Sequence, residues 1–326
     1  MTLRQLMTIS ITAAHLLSHA QIMTLEADCF IAAMPEGLQQ RQEAAVRQAI
    51  DGDSAPLALI RASRNTAAPL PEDVTATDID GKYRLYRRSA TDRPKALLIY
   101  LHGGGWCFGS INSCSKFCGS LAQTADIAVL AVEYPLAPEH PYPAALECSL
   151  EAVSFAIYKA AELGIDPDRI SIGGDSAGGN LALATALRLT GTKALNSLVL
   201  FYPVVKAWND HSDSWQKYST GYGLDGSIME AFNKAYSADN DFRLPYISPA
   251  TAPDSTLAQL PPTLIVNAGR DILLDQGSLM HSHLTELGVD SRHHILKGAT
   301  HLFITVDGQP TALNTALRLT ADFLEH

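Results

Sequence analysis

Gly174-Asp175-Ser176-Ala177-Gly178 is the stretch whose reading decides the fold. The β-type run Arg169-Ile170-Ser171-Ile172 precedes it, and a helical run follows from about Gly179 through Leu181, Leu183, Ala184 and Leu187. Strand, sharp turn and helix put a serine at the apex. Glycines are needed around it because neighbouring backbone packs against the turn where side chains would clash. The turn lifts the hydroxyl off the sheet and aims the Ala177 amide at whatever that hydroxyl attacks. A helix N-terminus also favours developing negative charge. A plain glycine-rich turn can carry the same five residues, so the reading depends on what accompanies them.

Upstream, His102-Gly103-Gly104-Gly105-Trp106 follows the apolar run Ala96-Leu97-Leu98-Ile99-Tyr100-Leu101. Three successive glycines after a buried strand leave backbone amides free to face a ligand, which is the second half of an oxyanion-binding site. Downstream, a base and its orienting partner are required, because a serine hydroxyl is a weak nucleophile until its proton is taken. In this setting the acid and the histidine follow the serine, in that order. Among eleven histidines, His301 lies in the loop Gly298-Ala299-Thr300-His301-Leu302-Phe303, just after the last expected strand. His281, His283, His293 and His294 fall on a helix or strand, where surface or packing roles fit better. For the acid, Asp271 follows the strand Thr263–Ala268 through Gly269-Arg270, at the strand end where open α/β sheets bind ligands. Asp275 is the rival, one turn further on, and reads as a flank of the next helix.

Composition narrows the rest. A chain of 326 residues can bury one large core and still carry an added cap. Its 47% hydrophobic and 18% charged content describes an ordinary globule. A formal net charge of -10, with no Lys/Arg cluster, argues against a nucleic-acid partner. Cys29, Cys107, Cys114, Cys118 and Cys148 form neither a disulfide framework nor a zinc ribbon, and the reading for them is small buried hydrophobes. No His/Asp/Glu cluster has metal-ligand spacing, so no metal is expected. No run is long and apolar enough to span a bilayer.

Residues 1–22 read in more than one way. Arg4, the apolar stretch Leu6–Leu17 and Ser18-His19-Ala20 together have the outline of a signal peptide, which Thr8, Ser10, Thr12 and His15 weaken. Met23 is an alternative start. A cytoplasmic location is the expectation, and a secreted or periplasmic one follows if residues 1–20 are a signal.

Along the chain, Gly37 to Ile50 reads as an amphipathic helix and Ala55 to Pro71 as a loop. Strands are expected at Lys82–Arg88, Ala96–Leu101, Ile127–Glu133, Arg169–Ile172, Ser197–Tyr202, Thr263–Ala268 and His293–Leu296. Helices are expected from Pro143 to just before Gly164, after Ser176, over Gln276–Leu287 and over Thr311–Glu325. This alternation calls for a mostly parallel, doubly wound sheet. Lys206 to Arg243 interrupts it and is far longer than an ordinary connection. Ser227-Ile228-Met229-Glu230 has capping-box spacing there, and Ile228, Met229, Phe232 and Tyr236 share one helix face. The insertion reads as a cap over the site.

Four ordered motifs give the chain a family resemblance. His102–Trp106 resembles the HGGG motif of the hormone-sensitive-lipase family of α/β-hydrolases, in its bacterial esterase and acetyl esterase branch. Gly174–Gly179 resembles that family's GDSAGG elbow. Glu133-Tyr134-Pro135-Leu136-Ala137-Pro138-Glu139-His140-Pro141 resembles its YRLAPEHPFP segment, and Asp271-Ile272-Leu273-Leu274-Asp275 its DPLRD. Pro135, Ile272 and Leu302 depart from the family pattern, and none removes a catalytic group.

The resemblance implies an α/β-hydrolase fold and hydrolysis of short-acyl esters without a cofactor. Ser176 would be the nucleophile, His301 the base and Asp271 the acid that orients it, with oxyanion donors at Gly104, Gly105 and Ala177. It also implies a cap built from the N-terminal segment 1–75 and the insertion 206–243, over a catalytic domain of 76–326. Trp106 is expected to line the acyl or alcohol pocket, with core packing as its alternative. The expected partner is a small-molecule ester, and a homo-oligomer is compatible with the sequence. An amidase, a lipase and a non-catalytic receptor on the same scaffold are the competing readings.

Overall fold

The computed structural model describes residues 17–88 and 95–325, so most of the expected leader, residues 1–16, lies outside the described residues. Eight strands form one sheet: β1 (Val74–Ile79), β2 (Tyr83–Arg88), β3 (Lys95–Leu101), β4 (Ala128–Val132), β5 (Ile165–Asp175), β6 (Leu198–Phe201), β7 (Thr263–Arg270) and β8 (Ser291–Thr300). Their spatial order is β1-β2-β4-β3-β5-β6-β7-β8. The pairs β1–β2 and β2–β4 are antiparallel, and every pairing from β4 to β8 is parallel. The parallel strands are the continuous apolar runs of the sequence. β3, β4 and β6 are buried almost residue for residue, because helices cover both faces.

Those helices follow the alternation. α1 (His19–Ala33), α2 (Leu38–Ile50) and α3 (Ala55–Ser63) precede the sheet. α4 (Ser115–Thr124), α5 (Ala144–Tyr158), α6 (Ala160–Leu163) and α7 (Ala177–Arg188) connect its first half. α8 (Asp213–Tyr218), α9 (Gly226–Ser237), a 3₁₀ turn (Pro249–Thr251) and α10 (Asp254–Leu257) all lie between β6 and β7. α11 (Leu274–Glu286) and α12 (Pro310–Leu324) complete the set. Two apolar clusters result, one on each face of the sheet. Gly164 ends α6 in the left-handed conformation, as the sequence suggested.

Two expectations need correction. Ala55 to Pro71 is not all loop, because α3 occupies its first half with Leu57 buried. The capping box at Ser227 does not form: Asp225 is the N-cap, and the helix begins at Gly226. Asp225 extends its carboxylate back to the Gly221 amide instead, at 2.8 Å. At the start of the described residues, Ser18 caps the helix that begins at His19. The Ser18 hydroxyl accepts from the Gln21 amide at 3.3 Å, and the Gln21 carboxamide oxygen accepts from the Ser18 amide at 2.8 Å.

Helix α1 packs on β8, where Gly298 lies so close that a Cβ would sit 2.5 Å from the Thr24 amide nitrogen. Glu26 accepts hydrogen bonds from the Thr311 amide and hydroxyl at the start of α12, where a carboxylate also suits the helix dipole. Helix α2 packs against α3 on one side and α9 on the other. The N-terminal helices and the long β6–β7 connection therefore meet.

Candidate active site

Strand β5 ends at Asp175 and α7 begins at Ala177, so Ser176 alone makes the turn. Its backbone is strained, with φ 55° and ψ -116°. The Ser176 amide donates to the Phe201 carbonyl at 2.9 Å, which pins the apex to β6. The flanking glycines are required by close approach. A Cβ on Gly178 would lie 1.9 Å from the Leu101 carbonyl oxygen, and one on Gly174 2.4 Å from it.

Three side chains named from the sequence meet here. His301 Nε2 is 3.1 Å from Ser176 Oγ, and His301 Nδ1 is 2.6 Å from Asp271 Oδ2. All three are buried, with Ser176 6%, His301 2% and Asp271 1% exposed. The second Asp271 oxygen accepts from the Leu273 amide at 3.1 Å. With the acid taking the Nδ1 proton, Nε2 is left to accept the serine proton. Asp275 faces elsewhere: its carboxylate accepts from the Ser214 amide at 2.8 Å and ties α8 to α11.

The His102–Trp106 loop lies opposite. Gly104 and Gly105 both have positive φ, at 121° and 59°. Among the described residues, the amides of Gly104, Gly105 and Ala177 have no hydrogen-bond acceptor. Asp175 holds this loop, because its Oδ1 accepts from the Gly103 amide at 2.9 Å and from the Tyr100 hydroxyl at 2.8 Å. Burial raises the Asp175 carboxyl to about 6 in spite of those two bonds, and its Oδ2 has no partner. His102 stacks on Tyr134 with centroids 4.2 Å apart, and burial lowers its imidazole to about 4, so it stays neutral. The Tyr134 hydroxyl donates to the His102 carbonyl at 2.6 Å.

A small cavity of about 40 Å³ opens beside Ser176 and His301, walled by Phe108, Phe232, Ile228 and Met229. Trp106 is not in that wall, and the expectation for it is corrected. Its ring is 0% exposed and stacks on Tyr236, with centroids 4.4 Å apart and planes 3° from parallel. The positive φ of Trp106, 58°, carries the side chain beneath α9, and Phe108, two residues on, takes the wall position.

Several supporting residues were invisible in the sequence. Arg61, on α3, donates to the Cys107 and Ala137 carbonyls and makes a two-point ion pair with Glu139, all at 2.8 Å. It thereby anchors the loop in which Pro135 departs from the family pattern. Gln309 clamps the far side of His301, accepting from the Thr300 amide at 2.9 Å and donating to the His301 carbonyl at 3.1 Å. The Tyr202 ring lies 4.4 Å from the imidazole. No sequence signal marked these positions: Arg61 and Tyr202 work through partners far away in the chain, and Gln309 through a loop contact eight and nine residues back that no motif announces. Among the described residues no group of three or more metal-ligating side chains clusters, and no helix is long and apolar enough to cross a membrane.

Comparison with known proteins places this geometry in context. The model of an alpha/beta hydrolase fold family matches residues 98–305. An ethyl acetate hydrolase of Pseudomonas putida is 36% identical over 241 residues, covering 71% of this chain and 75% of that protein. A versiconal hemiacetal acetate esterase of Dothistroma septosporum is 31% identical over 273 residues, covering 77% and 80%. Among solved structures, an ester-hydrolase from the metagenome of Lake Arreo superimposes with a TM-score of 0.74 at 27% identity, covering 95% of this chain and 97% of that one. The chain belongs to the hormone-sensitive-lipase-like family of α/β-hydrolases.

Proposed function

We propose that the protein is a serine carboxylesterase that hydrolyses short-acyl esters through an acyl-enzyme. The observation that carries this reading is the chain of contacts from Asp271 through His301 to Ser176, facing three unengaged backbone amides. Ser176 Oγ attacks the ester carbonyl as His301 Nε2 takes its proton. The amides of Gly104, Gly105 and Ala177 donate to the oxyanion that forms. His301 then protonates the departing alcohol, and a water activated by the same imidazole releases the acid. Asp271 holds the ring and stabilises it while charged.

The small cavity beside the serine favours an acetyl-sized acyl group, and relatives named for ethyl acetate and an acetate ester agree with that size. In this reading the N-terminal helices and α9 act as the cap, because Gln39, Gln42 and Phe232 line the cavity alongside Ser176. Initial rates on acetyl esters for wild type and Ser176→Ala test the reading. Wild-type turnover that falls by several orders of magnitude in the variant supports it. Retention of more than a few per cent contradicts it.

A further inference from the structure

Adjoining the catalytic cavity is a larger, mostly apolar groove of about 740 Å³ between α1, α2 and α3. That is within the usual size range of small-molecule sites, whereas the 40 Å³ beside Ser176 holds only a small group. Arg64, Gln42, Gln39 and Leu302 line both spaces and so mark their junction.

Arg64 stands out there. It sits at the C-cap of α3, half-buried, with its guanidinium 5.4 Å from the centroid of the Phe108 ring. Among the described residues it has no carboxylate partner, and its side chain makes no hydrogen bond. Its neighbour Arg61, by contrast, is fully engaged with Glu139 and two carbonyls. The other charged groups of the groove are also engaged: Arg41 donates to the Glu36 carbonyl, and Asp307 pairs with Lys116. Gln42, 7% exposed, likewise has no side-chain hydrogen bond among the described residues. A half-buried guanidinium resting on an aromatic ring keeps its charge with most of its donors unused. Burial lowers its pKa from the ordinary arginine value.

We infer that the substrate carries a carboxylate on its alcohol portion, bound by Arg64 and Gln42 at the junction of the two cavities. The acyl group then occupies the small cavity, and the apolar part of the alcohol lies along the groove. This rests on the esterase reading above and names its substrate class: short-acyl esters of hydroxy-carboxylic acids, cleaved by water to a short fatty acid and the free hydroxy acid. A planar guanidinium fork matches a carboxylate's two oxygens, and such charged pairs are stronger than neutral hydrogen bonds.

The test compares ω-acetoxy-alkanoates of graded length with their neutral primary amides, reading acetate release by the full-length protein. The expected result is a kcat/KM ratio, acid over amide, of about tenfold or more at the best length, arising mainly in KM. In Arg64→Gln the ratio should fall to near one, and Arg64→Lys should restore part of it. A wild-type ratio of one or less at every length overturns the inference, as does an Arg64→Gln ratio equal to wild type. If Arg64→Gln fails to fold, the wild-type ratio decides alone. Turnover without charge preference leaves the esterase reading standing. Absence of turnover on all acetyl esters overturns both.

Discussion

At the residue scale, the two acids after β7 make a direct contrast. Asp271 touches His301 at 2.6 Å, while Asp275 touches the Ser214 amide at 2.8 Å. Asp271→Asn should lower kcat on the order of 10⁴-fold, because the amide favours the wrong imidazole tautomer. Asp275→Asn should cost far less activity, and the reverse ranking in steady-state kinetics would move the acid's role to Asp275. Asp175 is a second test at this scale. Burial raises its carboxyl to about 6, against ~3.9 for an unfolded aspartate. Between those values the native state binds more protons than the unfolded one. The protonated carboxyl's advantage is therefore present at low pH and is lost as pH rises through about 6, a difference on the order of 3 kcal/mol. Asp175→Asn removes this dependence. In urea melts, wild-type stability relative to the variant should decline from about pH 4 to 6 and level off above. A flat difference would show that the carboxyl is not held protonated.

At the element scale, the glycine loop and α9 are fitted to each other. A Cβ on Gly105 would lie 2.2 Å from the Phe232 ring, and the position has φ 59°. Gly105→Ala must push α9 or the loop aside, so one oxyanion donor is displaced. A kcat loss of roughly 10²-fold or more is expected, with a folded protein by circular dichroism. Activity within twofold of wild type would place the Gly105 amide away from the reacting oxygen. Elements of this kind were unevenly legible in the sequence. The buried strands could be read because parallel strands covered on both faces are continuous apolar runs. Helix α1 could not, since its buried face is only Met23, Ala27 and Phe30. Its capping residues Ser18 and Gln21 instead fell inside a stretch with the outline of a cleavage site. The capping-box spacing at Ser227 misled for a related reason. The helix starts earlier, at a residue chosen by the loop before it, and Ser227 lies beside Glu43 of α2, lowering that carboxyl's pKa. Ser176, His301 and Asp271 each sat in a local motif that could be read directly. Arg61, Arg64 and Gln309 gained their roles only from contacts brought about by folding.

At the scale of the whole molecule, the small cavity and the large groove set substrate preference together. The volumes predict that kcat/KM peaks at acetyl to butyryl esters, with the larger moiety on the alcohol side. Each added acyl methylene gains up to about 0.8 kcal/mol where a pocket buries it, and the small cavity has no room for many. A series of p-nitrophenyl esters checks this. A preference for acyl chains beyond about ten carbons would mean that the groove takes the acyl chain, which is the lipase reading.

The most direct measurement of the central claim is the mass of the intact protein after exposure to a serine-reactive organophosphate, with peptide mapping of the adduct. The account predicts one adduct per chain on Ser176, formed in step with loss of esterase activity. It also predicts none in Ser176→Ala, and much slower formation in His301→Gln, where no base takes the serine proton. Full esterase activity in an unlabelled chain, or an adduct on another residue that tracks the loss, would contradict the account.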